Sequence, residues 1–316
     1  HSHFMYDRGI PLWGGALIEW LFPRLGGTSI QRGKLDRPGL RSARDLMVNA
    51  EYPLAAAPEG ATNGHNEIIS PLEPGIAQLG FWCAEDLQKA GRSERVIILP
   101  VGIQYFYLSP PWAEIEALLS QLETDCGLTP DPSHDLTEAH LYKRLYQLGE
   151  VMLDLMENFY RDFYHKTLPP VAELEESLGE NFNALESNPN QLLALRLQNL
   201  LNVALTVGEE YFQIKANGIL PDRCRRLEQA GWDYIYREEL RDKKSLSPVQ
   251  RGLADRLAQE SNLRMWHMRL VENFVAVTGN YVREKPTVER FADMLLLLWN
   301  VVDRMKNGDG DRPNLG

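Results

Sequence analysis

The spacing of apolar residues changes character once along this chain, at Pro110-Pro-Trp112, and no other feature constrains the fold as much. Before that point, short apolar runs of strand length alternate with segments of helical length. After it almost no β-branched run remains, and apolar residues recur at helical spacing. Alternation predicts a layered α/β structure, and sustained helical spacing predicts a bundle. The expected fold is therefore α/β over residues 1–126, a layered sheet with helices, followed by an all-α helical domain over residues 135–306. Gly127-Leu-Thr-Pro-Asp-Pro-Ser133 reads as the linker between them.

At 316 residues the chain can bury one large core or two moderate ones. Strands are predicted over Gly27–Arg32, Leu54–Ala57 and Val96–Ile103, the last interrupted by Pro100. Helices are predicted over Pro11–Leu25, Pro38–Ala50 and Glu73–Ala90. In the second part, Leu141, Leu145, Leu148, Met152, Leu155, Met156 and Phe159 give Thr137–Lys166 a helical apolar stripe. Gln191–Ala216, Asp222–Leu240, Pro248–Tyr281 and Thr287–Met305 continue that pattern.

A net charge of −11 argues against a general nucleic-acid binder. The first fifty residues run the other way, with seven Lys and Arg against four acids. Cys83, Cys126 and Cys224 are widely spaced, which points to a reducing compartment without a disulfide framework. No metal is expected. His134 and His140 miss the spacing of a helical zinc site, His165 and His267 have no partners at ligand spacing, and Asn307–Arg312 lacks the closing glutamate of a calcium loop. No apolar run reaches the length of a spanning helix.

Leu54-Ala-Ala-Ala-Pro-Glu-Gly60 places Glu59 where a short strand ends, the edge at which open α/β sheets bind ligands. Upstream, Gly26-Gly-Thr-Ser-Ile-Gln-Arg-Gly33 is a β-like run closing on Arg32 beside Gly33. Downstream, Val96-Ile-Ile-Leu-Pro-Val101 is an apolar run with a central proline. The order Ile30-Gln31-Arg32, Pro58-Glu59-Gly60, Leu99-Pro100-Val101 resembles three of the four blocks of the glycerolipid acyltransferase family, typified by 1-acyl-sn-glycerol-3-phosphate acyltransferases. The resemblance covers roughly residues 1–110.

That resemblance implies transfer of an acyl group from a thioester donor, acyl-CoA or acyl carrier protein, to the hydroxyl of a glycerol phosphate or lysophospholipid, with no cofactor. Arg32 and Gly33 would meet the acceptor phosphate, Glu59 and Gly60 the acceptor hydroxyl, and Pro100 the acyl side. A salt bridge tying two strand ends is the competing reading of Arg32 and Glu59. The family's remaining block, histidine followed after four residues by aspartate, is missing: His3 stands one residue too close to Asp7 and His1 one too far. The expectation is a chain truncated at its N-terminus, its catalytic pair upstream, with His3 and Asp7 as the fallback. The alternative is a non-catalytic lipid-binding or scaffolding member of the same fold. The resemblance also implies the cytoplasmic face of a membrane, held by Leu12, Trp13, Leu17, Ile18, Trp20, Leu21 and Phe22 with flanking Arg8 and Arg24, unless a protein core covers that face.

Overall fold

A computed structural model of the chain describes residues 2–7, 17, 18, 20–30, 36–60, 64–70, 72–131, 133, 135–177, 189–235, 246–274, 277 and 280–307. The chain forms two compact units. One comprises His1–Thr62 and Ile69–Ile103, the other Asn63–Ile68 and Gln104–Gly316. The division falls before the expected 126/135 boundary and moves one short upstream stretch into the second unit.

The first unit carries a parallel three-stranded sheet, β1 (His3–Asp7), β2 (Gly27–Ile30) and β3 (Leu54–Ala55), in the order β2-β1-β3. Phe4 pairs with Gly27 and Asp7 with Ile30 on one side of β1, and His3 with Leu54 on the other. Phe22 packs edge-on against Phe4 and Tyr6, at 5.7 and 4.9 Å between ring centres. Helix α1 (Arg37–Asn49) connects β2 to β3. It starts where Asp36 accepts a hydrogen bond from Gly39 N at 3.1 Å, with Pro38 in the first turn. Gly39 is required there: a β-carbon would sit 2.7 Å from Ser29 O, so only glycine lets the helix start this close to β2. Arg44 of α1 binds both carboxylate oxygens of Asp86 on α2 (Gly75–Lys89) and lies 5.8 Å from the Trp82 ring.

Val96–Ile103 departs from expectation. It is not a strand: residues 92–107 have no regular secondary structure, and Ile97, Leu99, Val101 and Ile103 are all more than two-thirds exposed. Two physical features account for this. β3 is only two residues long, and Pro100 cannot donate to a ladder.

The second unit is helical: α3 (Trp112–Asp125), α4 (Glu138–Tyr164), α5 (Val171–Ser177), α6 (Pro189–Tyr211), α7 (Leu220–Ile235), α8 (Pro248–Phe274), α9 (Tyr281–Glu284) and α10 (Val288–Asn307). Most of the apolar stripe read from the sequence lies on the buried face of α4, with Leu141, Leu145, Leu148, Met152 and Met156 in one core and Phe159 packed against it, but Leu155 is 52% exposed. Helix α3 joins that core through Ile115, Leu119 and Leu122. Buried arginines tie helices together. Arg144 reaches Glu123 at 2.6 Å and Glu116 at 3.1 Å, Arg196 reaches Glu157 at 2.8 Å, and Arg223 reaches Glu209 at 2.7 Å. No helix among the described residues is long and apolar enough to cross a membrane.

Candidate functional site

In a parallel sheet every strand ends at the same edge, so β1, β2 and β3 deliver Asp7, Ile30 and the Pro58-Glu59-Gly60 loop to one side. The loop is held internally. Gly60 N donates to Ala57 O at 3.2 Å, Glu73 N to Pro58 O at 2.6 Å, and Ser70 N to Glu59 Oε2 at 2.8 Å. Gly60 has φ +68°, the left-handed region that side chains resist, and this lets the chain turn back toward Ser70. The Glu59 carboxylate thus clamps its own loop, a role that spacing did not reveal. Arg32 and Gly33 fall outside the described residues, as do Arg8, Leu12 and Trp13. Pro100 is exposed on the irregular segment after α2.

The fallback pairing of His3 with Asp7 is not assembled. Both lie on β1, four strand residues apart, a separation of about 13 Å that a hydrogen bond does not bridge. His3 begins the strand at the opposite edge from the Glu59 loop. Its backbone N–H donates to Pro53 O at 2.8 Å, and its buried Nδ1 has no hydrogen-bond partner among the described residues.

Near residue 20 the apolar surface is open. Leu17, Trp20 and Leu25 are more than half exposed, and Arg24 stacks 4.2 Å from the Trp20 ring.

The cysteines carry free thiols, and burial raises the pKa of each, so they are poor nucleophiles. His140 lies 3.2 Å from an Asp131 oxygen, and His165 closes α4 in the left-handed region at φ 52°. His267 is enclosed between the hydroxyls of Tyr160 at 2.7 Å and Tyr164 at 3.1 Å. Burial first, then Arg264, lowers its pKa to about 4. No group of three His, Cys, Asp or Glu side chains converges as metal ligands among the described residues.

A polar cluster in the helical unit escaped the sequence reading. Asp293 accepts from Asn66 N at 2.9 Å and from the Tyr281 hydroxyl at 2.7 Å, while Glu67 accepts from Arg290 at 2.8 Å and Lys285 at 2.9 Å. Burial raises the pKa of Asp293; the Lys285 and Arg290 hydrogen bonds lower that of Glu67. Its signal was present in the sequence, since Asp293 is an acid inside the apolar run Phe291–Trp299. Comparison with known protein families, with curated proteins and with solved structures finds no match to this chain.

Proposed function

We propose that this chain belongs to a glycerolipid acyl-transfer system, moving an acyl group from an acyl thioester to the hydroxyl of a glycerol phosphate or lysophospholipid. What carries the reading is the Pro58-Glu59-Gly60 loop at the carboxyl edge of a parallel sheet, following the Ile30-Gln31-Arg32 block in the same order as in that family. On this reading Arg32 binds the acceptor phosphate through paired charge-assisted hydrogen bonds. Glu59 keeps the loop shaped for the acceptor hydroxyl. The base that takes the hydroxyl proton is a residue other than His3, and proton removal as the hydroxyl attacks the thioester carbonyl releases the free thiol. Exposed Leu17, Trp20 and Leu25 beside Arg24 support contact with one face of a membrane, where tryptophan favours the headgroup region.

The second reading is a non-catalytic lipid-binding protein, favoured by the separation of His3 from Asp7 along β1. One experiment addresses both. The chain is co-sedimented with phosphatidylcholine vesicles with and without lysophosphatidate, and thiol release from an acyl-CoA is followed in parallel. Lysophosphatidate is expected to raise binding, and Arg32→Ala to lower that gain at least tenfold. Trp20→Ser is expected to weaken binding to both vesicle types. Acceptor-dependent thiol release distinguishes the enzyme from the binding protein. Equal lysophosphatidate binding by wild type and Arg32→Ala removes the basis for both readings.

A further inference from the structure

Between α2 and α3 the chain carries an apolar run that its own fold leaves uncovered. Consecutive Ile97, Ile98 and Leu99 are 84, 57 and 77% exposed, and Val101 and Ile103 are more than two-thirds exposed. No charged residue occurs between Arg95 and Glu114. Uncovered apolar surface of this kind marks contact with a protein or with a membrane. The run is held in place on the first unit. Ile98 and Val96 rest on α2 at Gly80, where an added β-carbon would come within 3.1 Å of the Ile98 side chain.

Two features favour a membrane surface over a protein. The first is the pattern of exposure. A strand laid on a protein face covers alternate side chains, because successive ones point to opposite sides. Here neighbours in sequence are open together, so the run is apolar on more than one side. One protein face covers a single side, whereas a fluid lipid interface closes around both. The second feature is charge. The unit that holds the run, residues 1–62 and 69–103, has ten Lys and Arg against ten Asp and Glu, so the net charge of −11 lies on the helical unit. The first unit therefore meets a lipid surface without net repulsion, even where that surface is anionic.

The backbone sets the depth. Among the described residues, no backbone N–H or C=O of 96–104 takes part in a hydrogen bond. Groups left open in this way are not tolerated in hydrocarbon, so the backbone stays in the hydrated headgroup layer and the side chains reach the acyl boundary.

We infer that Val96–Ile103 lies in the surface of a phospholipid bilayer, with Ile97, Leu99, Val101 and Ile103 as its apolar contacts. The contact uses residues other than Leu17, Trp20 and Leu25, and it does not depend on acyl transfer.

The test uses the full chain labelled at the isoleucine δ1-methyls, with phosphatidylcholine nanodiscs that contain no lysophosphatidate and carry a nitroxide on the lipid acyl chain. The Ile97, Ile98 and Ile103 signals are expected to broaden when nanodiscs are added, while that of Ile115, fully buried in the helical unit, stays sharp. In parallel, the double variant Ile97→Lys, Val101→Lys is expected to bind phosphatidylcholine vesicles at least tenfold more weakly in co-sedimentation. An unchanged melting temperature shows that lost binding is not lost folding. Methyl signals that stay sharp beside the nanodiscs overturn the inference, and so does wild-type vesicle affinity in the double variant. Shifts of these methyls with rising protein concentration in the absence of lipid would assign the run to a second copy of the chain and overturn it as well. None of these outcomes bears on Arg32→Ala, which reads only the gain that lysophosphatidate brings.

Discussion

Glu59 and Gly60 mark how far the sequence context of one residue reaches. The position of Glu59 after a short apolar run was legible, because strand exits are where α/β sheets present function. Its partner was not, because a hydrogen bond to the backbone N–H of Ser70, eleven residues downstream, leaves no signature in spacing. Gly60 makes that closure possible at φ +68°. Gly60→Ala is expected to destabilise the first unit by about 1–2 kcal/mol, the usual cost of a left-handed side-chain residue. Urea unfolding followed by tryptophan fluorescence measures it, and a loss below about 0.3 kcal/mol would mean the turn relaxes freely.

His267 carries a different residue-scale consequence. In the unfolded chain it takes up a proton near its ordinary pKa of about 6.5, but in the fold it does so only near 4. Between these values the unfolded state binds more protons, so stability falls as pH is lowered from about 6.5 to about 4, by about 3 kcal/mol in all. His267→Gln, which keeps a polar group between Tyr160 and Tyr164, is expected to lose that share of the pH dependence. Carboxylates also titrate in this range, so the measure is the difference between wild type and variant in urea midpoints at pH 7 and pH 4.5. Parallel curves for the two proteins would show that His267 is not protonated selectively in the unfolded state.

Among elements, long periodic helices were read well and short strands poorly. The α4 stripe repeats over many turns, so periodicity placed its buried face apart from Leu155, which is exposed. β1 was missed although it is the central strand of the sheet. His3-Phe-Met-Tyr-Asp7 is short and has no β-branched residue. Val96–Ile103 failed the opposite way: it has strand composition without a ladder partner. Ile97 and Val101 are 84% and 74% exposed, so Ile97→Lys and Val101→Lys are each expected to change stability by less than about 0.5 kcal/mol. Chemical denaturation decides the matter. A cost of about 2 kcal/mol or more at either position would mean that this run is buried as the composition predicts.

At the scale of the whole molecule, the chain does not finish one unit before beginning the other. Asn63–Ile68 belongs to the helical unit although residues on either side belong to the first. Composition could not reveal this, because Asn63-Gly-His-Asn-Glu67 reads as a polar loop and its partners lie more than two hundred residues away. Glu67 accepts hydrogen bonds from both Lys285 and Arg290, and its side chain is only 9% exposed. Without the carboxylate, the partly buried Arg290 loses its charged partner, a change that costs more than the bond is worth in water. Glu67→Ala is therefore expected to destabilise the helical unit by about 2–3 kcal/mol. The hydrogen bond from Lys285, then that from Arg290, depresses the Glu67 pKa, so its stabilising contribution is present above the ordinary glutamate range and is lost as pH falls through the lowered folded value. Melting followed by circular dichroism at 222 nm, which the helical unit dominates, should therefore show wild type and Glu67→Ala well separated at pH 7 and converging in acid. A gap that stays constant with pH would assign the loss to packing rather than to this ion pair, and no gap at pH 7 would remove residues 63–68 from the helical unit's stability altogether.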